Sequence, residues 1–405
     1  MTTASTDVRA DNRFTLGIGT LLLCAFGLTV SNSMVFAVLS DLQDEYGFSS
    51  SGLGYISAAG FMASLIMQLL VAPYADRGYP KRLVLAGLLI AVLGSGLFAI
   101  GGSLTVLVIA RGLTGASLGI AAPALRAIAS NVDKSRSAER LGRLRGIELA
   151  GFTSGPLFGA LLVGPLGISG AFIVFAGVAA ISALLVAPRD LPALPTSSSS
   201  NRLSLGLLRH RGVRVSALAS LTLFLPVGIY DALWDRFITD QGGTNFQVGM
   251  SFLLYTLPFV LFGAWGGRLS DINGPRRMVV IGIAMTIPAV VIYGFFKNSW
   301  LIVGFAVVEG IIGAIALPAA QSLMARVAPE GRASAAQGVL GAGDLLTATT
   351  VALIAPSVYG AYGAEGTFYS AGVVMAILLV VVLWQLRGVT VPDHRETLHE
   401  PPQQQ

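Results

Sequence analysis

The loop GRLSDINGPRR, Gly267 to Arg277, decides the fold, because an earlier stretch, APYADRGYPKR, Ala72 to Arg82, is its counterpart. Each places an acid five positions in and a basic pair at its end, and Asp76 and Asp271 stand 195 residues apart. Two further pairs follow in the same order. RGLTG, Arg111 to Gly115, matches EGIIG, Glu309 to Gly313, at an offset of 198, and RGIELAG matches QGVLGAG at 192. Short glycine-rich strings match by chance, but three matches in order at nearly constant spacing imply a duplicated unit.

The sequence around these matches is 54% hydrophobic and 12% charged, with mean hydropathy +0.74. A soluble domain carries about 25% charged residues. Apolar runs of roughly 20 residues recur along the chain, each long enough to cross ~30 Å of hydrocarbon. Twelve spans are predicted, at 14–39, 51–73, 83–101, 104–127, 146–164 and 170–187, then 215–238, 247–267, 278–296, 299–322, 334–356 and 367–387. The first run is longer than a signal-peptide core of about 7–15 residues and no small-x-small cleavage site closes it, so it reads as a retained span. The expected fold is an all-α membrane protein of two pseudo-symmetric six-helix bundles, 14–187 and 215–387. A tail at 1–13, a Ser/Pro/Arg-rich linker at 188–214 and a tail at 388–405 complete the chain.

An even number of spans puts both termini on one side. One candidate face collects 23 of the 26 Lys and Arg residues, which assigns it, and both termini, to the cytoplasm; the protein is expected in the plasma (inner) membrane. The basic excess is thereby a topology signal, and no nucleic-acid partner is expected. The one cysteine, Cys24, lies within a span, and His210, His394 and His399 form neither a metal cluster nor a catalytic dyad. No cofactor, no metal and no enzymatic activity are expected, and the chain reads as a monomer whose partners are lipid, protons and a small-molecule substrate.

These residues resemble the major facilitator superfamily over essentially all of 14–387. The later loop is similar to that family's Gly-x-x-x-Asp-x-x-Gly-x-Arg-Arg signature through Gly267, Asp271, Gly274, Arg276 and Arg277. In the first copy Ala72 replaces the leading Gly, while Asp76, Arg77, Lys81 and Arg82 still fit. The resemblance implies a conformational latch between the halves at Asp76, Arg77, Arg82 and the second-copy residues. An Asp near a helix N-terminus, clamped by Arg, gives that role a physical basis. In the fourth span Arg111, Gly115 and Gly119 match a family motif in which the Arg takes part in proton coupling, with Thr114 where Gln is usual. In the fifth, GFTSGPLFGA is similar to a signature of antiporter-type exporters: Gly151, Gly155, Pro156 and Gly159 match and Ala160 replaces the last Gly. Pro156 removes a backbone hydrogen bond and bends the helix.

Acids inside the spans are the candidates for coupling, because a carboxylate at bilayer depth is expensive and needs a function or a partner. Glu309 and Asp344 lie deep; Glu148 is expected to pair with Arg145 at the interface; Asp231 is a third candidate, while Asp235 reads as part of a solvated outer cluster beside Arg236. Glu309 occupies the slot taken by Arg111 in the 198-residue alignment, so the two are expected to face one central cavity and lower each other's burial cost. Proton coupling is therefore assigned to Glu309, Asp344, Arg111 and Asp231. The substrate cavity is assigned to Asn32, Phe36, Tyr230 and Trp234, on spans that line the cavity in the resembling fold. The implied function is a proton-coupled secondary transporter exporting small amphipathic or drug-like compounds by alternating access. A proton-linked transporter of a metabolite such as a sugar or organic anion is the alternative. A sensor with an appended soluble domain and an intramembrane enzyme find no supporting residues.

Overall fold

The computed structural model describes residues 17–75, 77–131, 137–189, 205–330 and 332–389. Asp76, the tail 1–13, linker residues 190–204 and tail residues 390–405 lie outside the described residues. The described residues form α1 (Ile18–Ser33), extended by a 3₁₀ turn over Met34–Ala37, α2 (Leu39–Tyr46), α3 (Ser50–Leu70), α4 (Pro80–Ile100), α5 (Leu104–Asn131) and α6 (Ser137–Val186). The second half supplies α7 (Arg211–Asp240), α8 (Asn245–Asn273), α9 (Pro275–Tyr293), α10 (Ser299–Val327) and α11 (Ala333–Leu386).

Ten stretches are long and apolar enough to cross a bilayer. Two of them, α6 and α11, are each two spans joined at a glycine in the left-handed region, Gly167 (φ 68°) and Gly363 (φ 65°). Twelve spans in two six-helix bundles result. Their ends follow local chemistry. Pro80 and Pro275 open α4 and α9 at the first helical position, where a missing N–H costs nothing. Asn298 caps α10, its side chain accepting from Trp300 N at 2.8 Å, and Thr244 with Gln247 forms a capping box on α8. Large apolar side chains such as Leu93, Leu184, Val260 and Trp384 are exposed around the outside, as a lipid-facing wall requires.

Three expectations need correction. The first span runs from Ile18 to Ala37, and the polar stretch after it forms the separate helix α2. The helices overrun the expected spans at their polar ends: α8 continues through Arg268 and Asp271 to Asn273, because only Gly274 (φ 83°) breaks it. Asp271 therefore stands near a helix C-terminus, not an N-terminus.

The third correction concerns the repeat itself. Helix starts Ser50 and Asn245, Pro80 and Pro275, Leu104 and Ser299 all differ by 195. Close backbone approaches repeat at the same offset. A Cβ on Gly115 would strike Gly60 O, and one on Gly310 would strike Tyr255 O; Gly87 abuts Ala121 as Gly282 abuts Ala316. The true register pairs Gly115 with Gly310, so Arg111 corresponds to Ala306 and Glu309 to Thr114. The 198-residue alignment was one helical turn out, and Arg111 and Glu309 are not equivalent positions.

The same offset governs where the halves touch. Gly54 of α3 lies against the Ala352 carbonyl of α11, and Gly249 of α8 against the Leu157 backbone of α6. Polar bonds join the halves at mid-depth and at the end of the bundle where α2, the start of α3 and the start of α8 lie. Ser51 Oγ and Ser357 Oγ meet there at 3.3 Å, and Arg236 donates to Asp44 at 2.8 Å. At the opposite end, where α7 begins and α11 finishes, Arg211 Nε donates to Gln385 O within the second half.

Candidate functional site

Arg111 fits its slot on α5 because the facing residue on α3 is Gly60: a Cβ there would meet Arg111 Nε at 2.7 Å. In the second half the sizes are exchanged. Ala306 stands in the arginine's position and Tyr255 in the glycine's. Arg111 is 3% exposed and its guanidinium points inward. Its Nη2 donates to Asp231 Oδ2 at 3.1 Å and Oδ1 at 3.4 Å, across the halves. Its Nη1 donates to the Asn32 main-chain oxygen at 2.8 Å and to Asn32 Oδ1 at 3.3 Å. The Phe36 ring lies 4.7 Å from its charge centre. Phe36 and Asp231 are themselves 195 residues apart, so both halves present the same slot to one cation. A buried ion pair persists only with good geometry and further hydrogen bonds. Asn32 and Phe36 supply the surroundings on one side, and Ser57 Oγ holds the Asp231 main chain from α3 at 3.1 Å.

Glu309 on α10 is buried and has a different partner. Tyr230 OH donates to its Oε1 at 2.6 Å. Tyr230 packs edge-on against Trp234, with centroids 4.8 Å apart, and Trp234 Nε1 donates to Ser251 Oγ of α8 at 2.7 Å. A pocket opens beside the carboxylate, its wall formed by Tyr230, Tyr255, Thr286, Leu223 and Leu317. The expected facing of Arg111 and Glu309 is thus replaced by a relay through α7. Consecutive residues Tyr230 and Asp231 bind, respectively, the acid of one half and the arginine of the other.

Asp344 on α11 is buried apart from this group and accepts from Ser220 Oγ of α7 at 2.8 Å. Glu148 takes the interfacial pairing expected of it, with Arg145 at 3.2 Å and also Arg126 at 3.0 Å. Asp235 is not part of a solvated cluster. It is 2% exposed and accepts from the Ser40 N–H at 2.7 Å, while Arg236 turns to Asp44 and Asp240. Adjacent residues on a helix point about 100° apart, so Asp235 and Arg236 enter different surroundings.

Among the described residues, the contacts of the loop signatures lie within their own halves. Asp271 pairs with Arg326 of α10 at 2.8 Å, Arg276 and Arg277 are exposed, and Gly274 provides the left-handed turn. Arg77 and Arg82 lie over the rings of Tyr74 and Tyr79. Along α6 the glycine motif packs on α1: Gly151 meets Thr29 and Phe26, Gly155 meets Ser33 and Val30, and Gly159 meets Met34. Pro156 and Leu157 form the surface against which Gly249 of the other half rests. Gly60, Gly249, Ser57, Tyr255 and Thr286 were not singled out as site residues. The 195-residue register, read residue by residue, is the signal that points to Gly60, Tyr255 and Gly249.

The family model of the Major Facilitator Superfamily matches residues 21–234 and again 216–404. The chain belongs to the Major Facilitator Superfamily, a family of multi-pass membrane transporters. Maltose permease of Geobacillus stearothermophilus is 26% identical over 374 residues, 90% of this chain and 92% of that protein. Quinolone resistance protein NorA of Staphylococcus aureus is 24% identical over 217 residues, covering 51% of this chain and 55% of that one. Among solved structures, a bacterial homologue of the human lysosomal transporter Spinster, inward-facing and occupied, superposes with a TM-score of 0.78 at 14% identity, over 92% of this chain and 96% of that one. The nucleoside transporter NupG gives 0.72 at 13%, over 91% and 98%.

Proposed function

We propose that this transporter is a proton-coupled exporter of small amphipathic or drug-like compounds, working by alternating access in the plasma membrane with both termini cytoplasmic. The observation that carries the reading is the buried Arg111–Asp231 pair, whose members belong to different halves. Rocking the halves apart changes the partner of each charge, and a carboxylate that loses its arginine gains a reason to take a proton. Glu309 supplies the second protonatable site, linked to the first through Tyr230 and Asp231. Asp344 is a third. Asn32 and Phe36 surround the Arg111 charge, Tyr230 binds Glu309 and Trp234 packs on Tyr230; the cavity beside Glu309 is walled mainly by aliphatic and aromatic surface, with the hydroxyls of Tyr230, Tyr255 and Thr286 beside the carboxylate. That suits amphipathic solutes better than a sugar, which needs a partner for each hydroxyl. The alternative, a proton-linked metabolite transporter, is favoured by one observation: the relative matched along nearly its whole length is a maltose permease. The antiporter-type glycine motif on α6 supports export.

Reconstituted into liposomes with an imposed pH gradient, the protein is expected to move an amphipathic dye against its gradient and to leave maltose unmoved. Glu309→Gln keeps an acceptor for Tyr230 but has no carboxyl group to bind and release a proton. It should abolish gradient-driven transport while inserting and purifying normally. Gradient-driven transport at the parent rate in that variant rejects Glu309 as a coupling site; uptake of maltose rejects the drug-like substrate.

A further inference from the structure

Helix α2 follows directly on the first span and belongs by sequence to the first half, yet no side chain of its own caps its N-terminus. Its N-cap residue is Val38, which has no side-chain acceptor for the amides of the first turn. Such amides have no partner within a helix, and Ser, Thr, Asp or Asn normally supplies one. Here the acceptor is in the second half. Ser40 N–H donates to Asp235 Oδ2 of α7 at 2.7 Å. Ser40 Oγ meets Thr239 Oγ1 at 3.2 Å, Asp41 accepts from Asn245 of α8, and Asp44 accepts from Arg236. At eight residues α2 is far below the ~12–15 at which a helix holds itself in water.

We propose that α2 is a strap across this end of the transporter, capped in trans by Asp235, so that its helical order and the closure of this face are one cooperative event. Opening the face takes the cap away, and a helix this short then frays. Closing restores the acceptor and refolds it. Order and disorder of a short segment is an established way to build a two-state switch. The inference goes beyond the proposed function, because neither a substrate nor a proton enters it.

The test uses the full-length protein in lipid nanodiscs without substrate, with two readouts. Hydrogen exchange reports the amides of 39–46. The distance between spin labels on Thr105→Cys and Trp300→Cys reports closure, in a Cys24→Ser background; both sites are exposed in the first turns of α5 and α10. Asp235→Ala should speed exchange in α2 about fivefold, the effect of losing a typical cap. It should also move the label distances toward longer values. Ser40→Pro, which deletes the same N–H at a position where a helix tolerates proline, should do likewise. Fraying of α2 with the label distances unchanged overturns the proposal, as does protection that survives both substitutions. If Asp235→Ala also loosens α4 and α9, that variant has unfolded, and Ser40→Pro decides by the same two readouts.

Discussion

Arg111 uses the shape of its side chain as well as its charge. Two nitrogens of the planar fork serve Asn32 and Asp231 at once, and the plane lies over Phe36. A lysine carries the charge on one nitrogen and cannot reproduce that division. Arg111→Lys is expected to keep expression but to lower transport at least about tenfold, measured as initial rate in liposomes. Removing one charge is worse for the fold than removing both. Asp231→Asn leaves a buried guanidinium uncompensated, at a cost of about 3–5 kcal/mol. The double variant Arg111→Gln, Asp231→Asn should recover most of the lost melting temperature yet remain inactive. If the double variant is no more stable than Asp231→Asn, the pair is not what balances the site. Gly60 belongs to the same argument. Gly60→Ala places a methyl 2.7 Å from Arg111 Nε and must push the side chain off Asp231, so transport should fall with little change in expression.

At the scale of elements, the close approach of Gly249 to α6 and of Gly54 to α11 brings backbone against backbone, and backbone cannot turn aside as a side chain can. A Cβ on Gly249 would sit 2.5 Å from Leu157 Cα, and one on Gly54 2.4 Å from Ala352 O. Gly249→Val is therefore expected to destabilise by about 1–3 kcal/mol, as overpacking does. The drop should appear in the melting temperature of the purified protein. Gly304→Ala, at a helical glycine with nothing within 4 Å, should be neutral or gain about 0.5–1 kcal/mol. These contacts also show what a sequence displays and what it hides. Span positions were readable because the bilayer demands long apolar runs whatever their neighbours. Helix α2 was not, since LSDLQDEY is short and polar and takes its cap from a residue about 195 positions away. Arg111, Glu309 and Asp231 stood out as charges in apolar sequence, but their partners did not. An offset misjudged by three residues turned a helix by nearly a full turn and paired the wrong charges.

At the scale of the molecule, the two bundles meet along α3 with α11 and α6 with α8, contacts related by the repeat; under the proposed alternating access, opening one end about those lines would close the other. Tying the halves together at the α2 end should then stop the cycle outright. Ser51 and Ser357 offer the place: their hydroxyl oxygens face each other across the halves at 3.3 Å, on α3 and α11, at positions accessible to reagent. Ser51→Cys with Ser357→Cys, in a Cys24→Ser background, should oxidise readily. Transport should fall below about a tenth of the reduced level and return on addition of a thiol reductant, because a disulfide allows only about 4.4–6.8 Å between Cα atoms. Each single cysteine should be indifferent to oxidant. The informative comparison is binding: the oxidised protein should still take up the amphipathic dye from the end that remains free, with affinity within about twofold of the reduced form. A locked protein that goes on transporting at the reduced rate would mean that the halves do not separate between α3 and α11, and rocking about a mid-bilayer site would have to give way to a motion confined within one bundle.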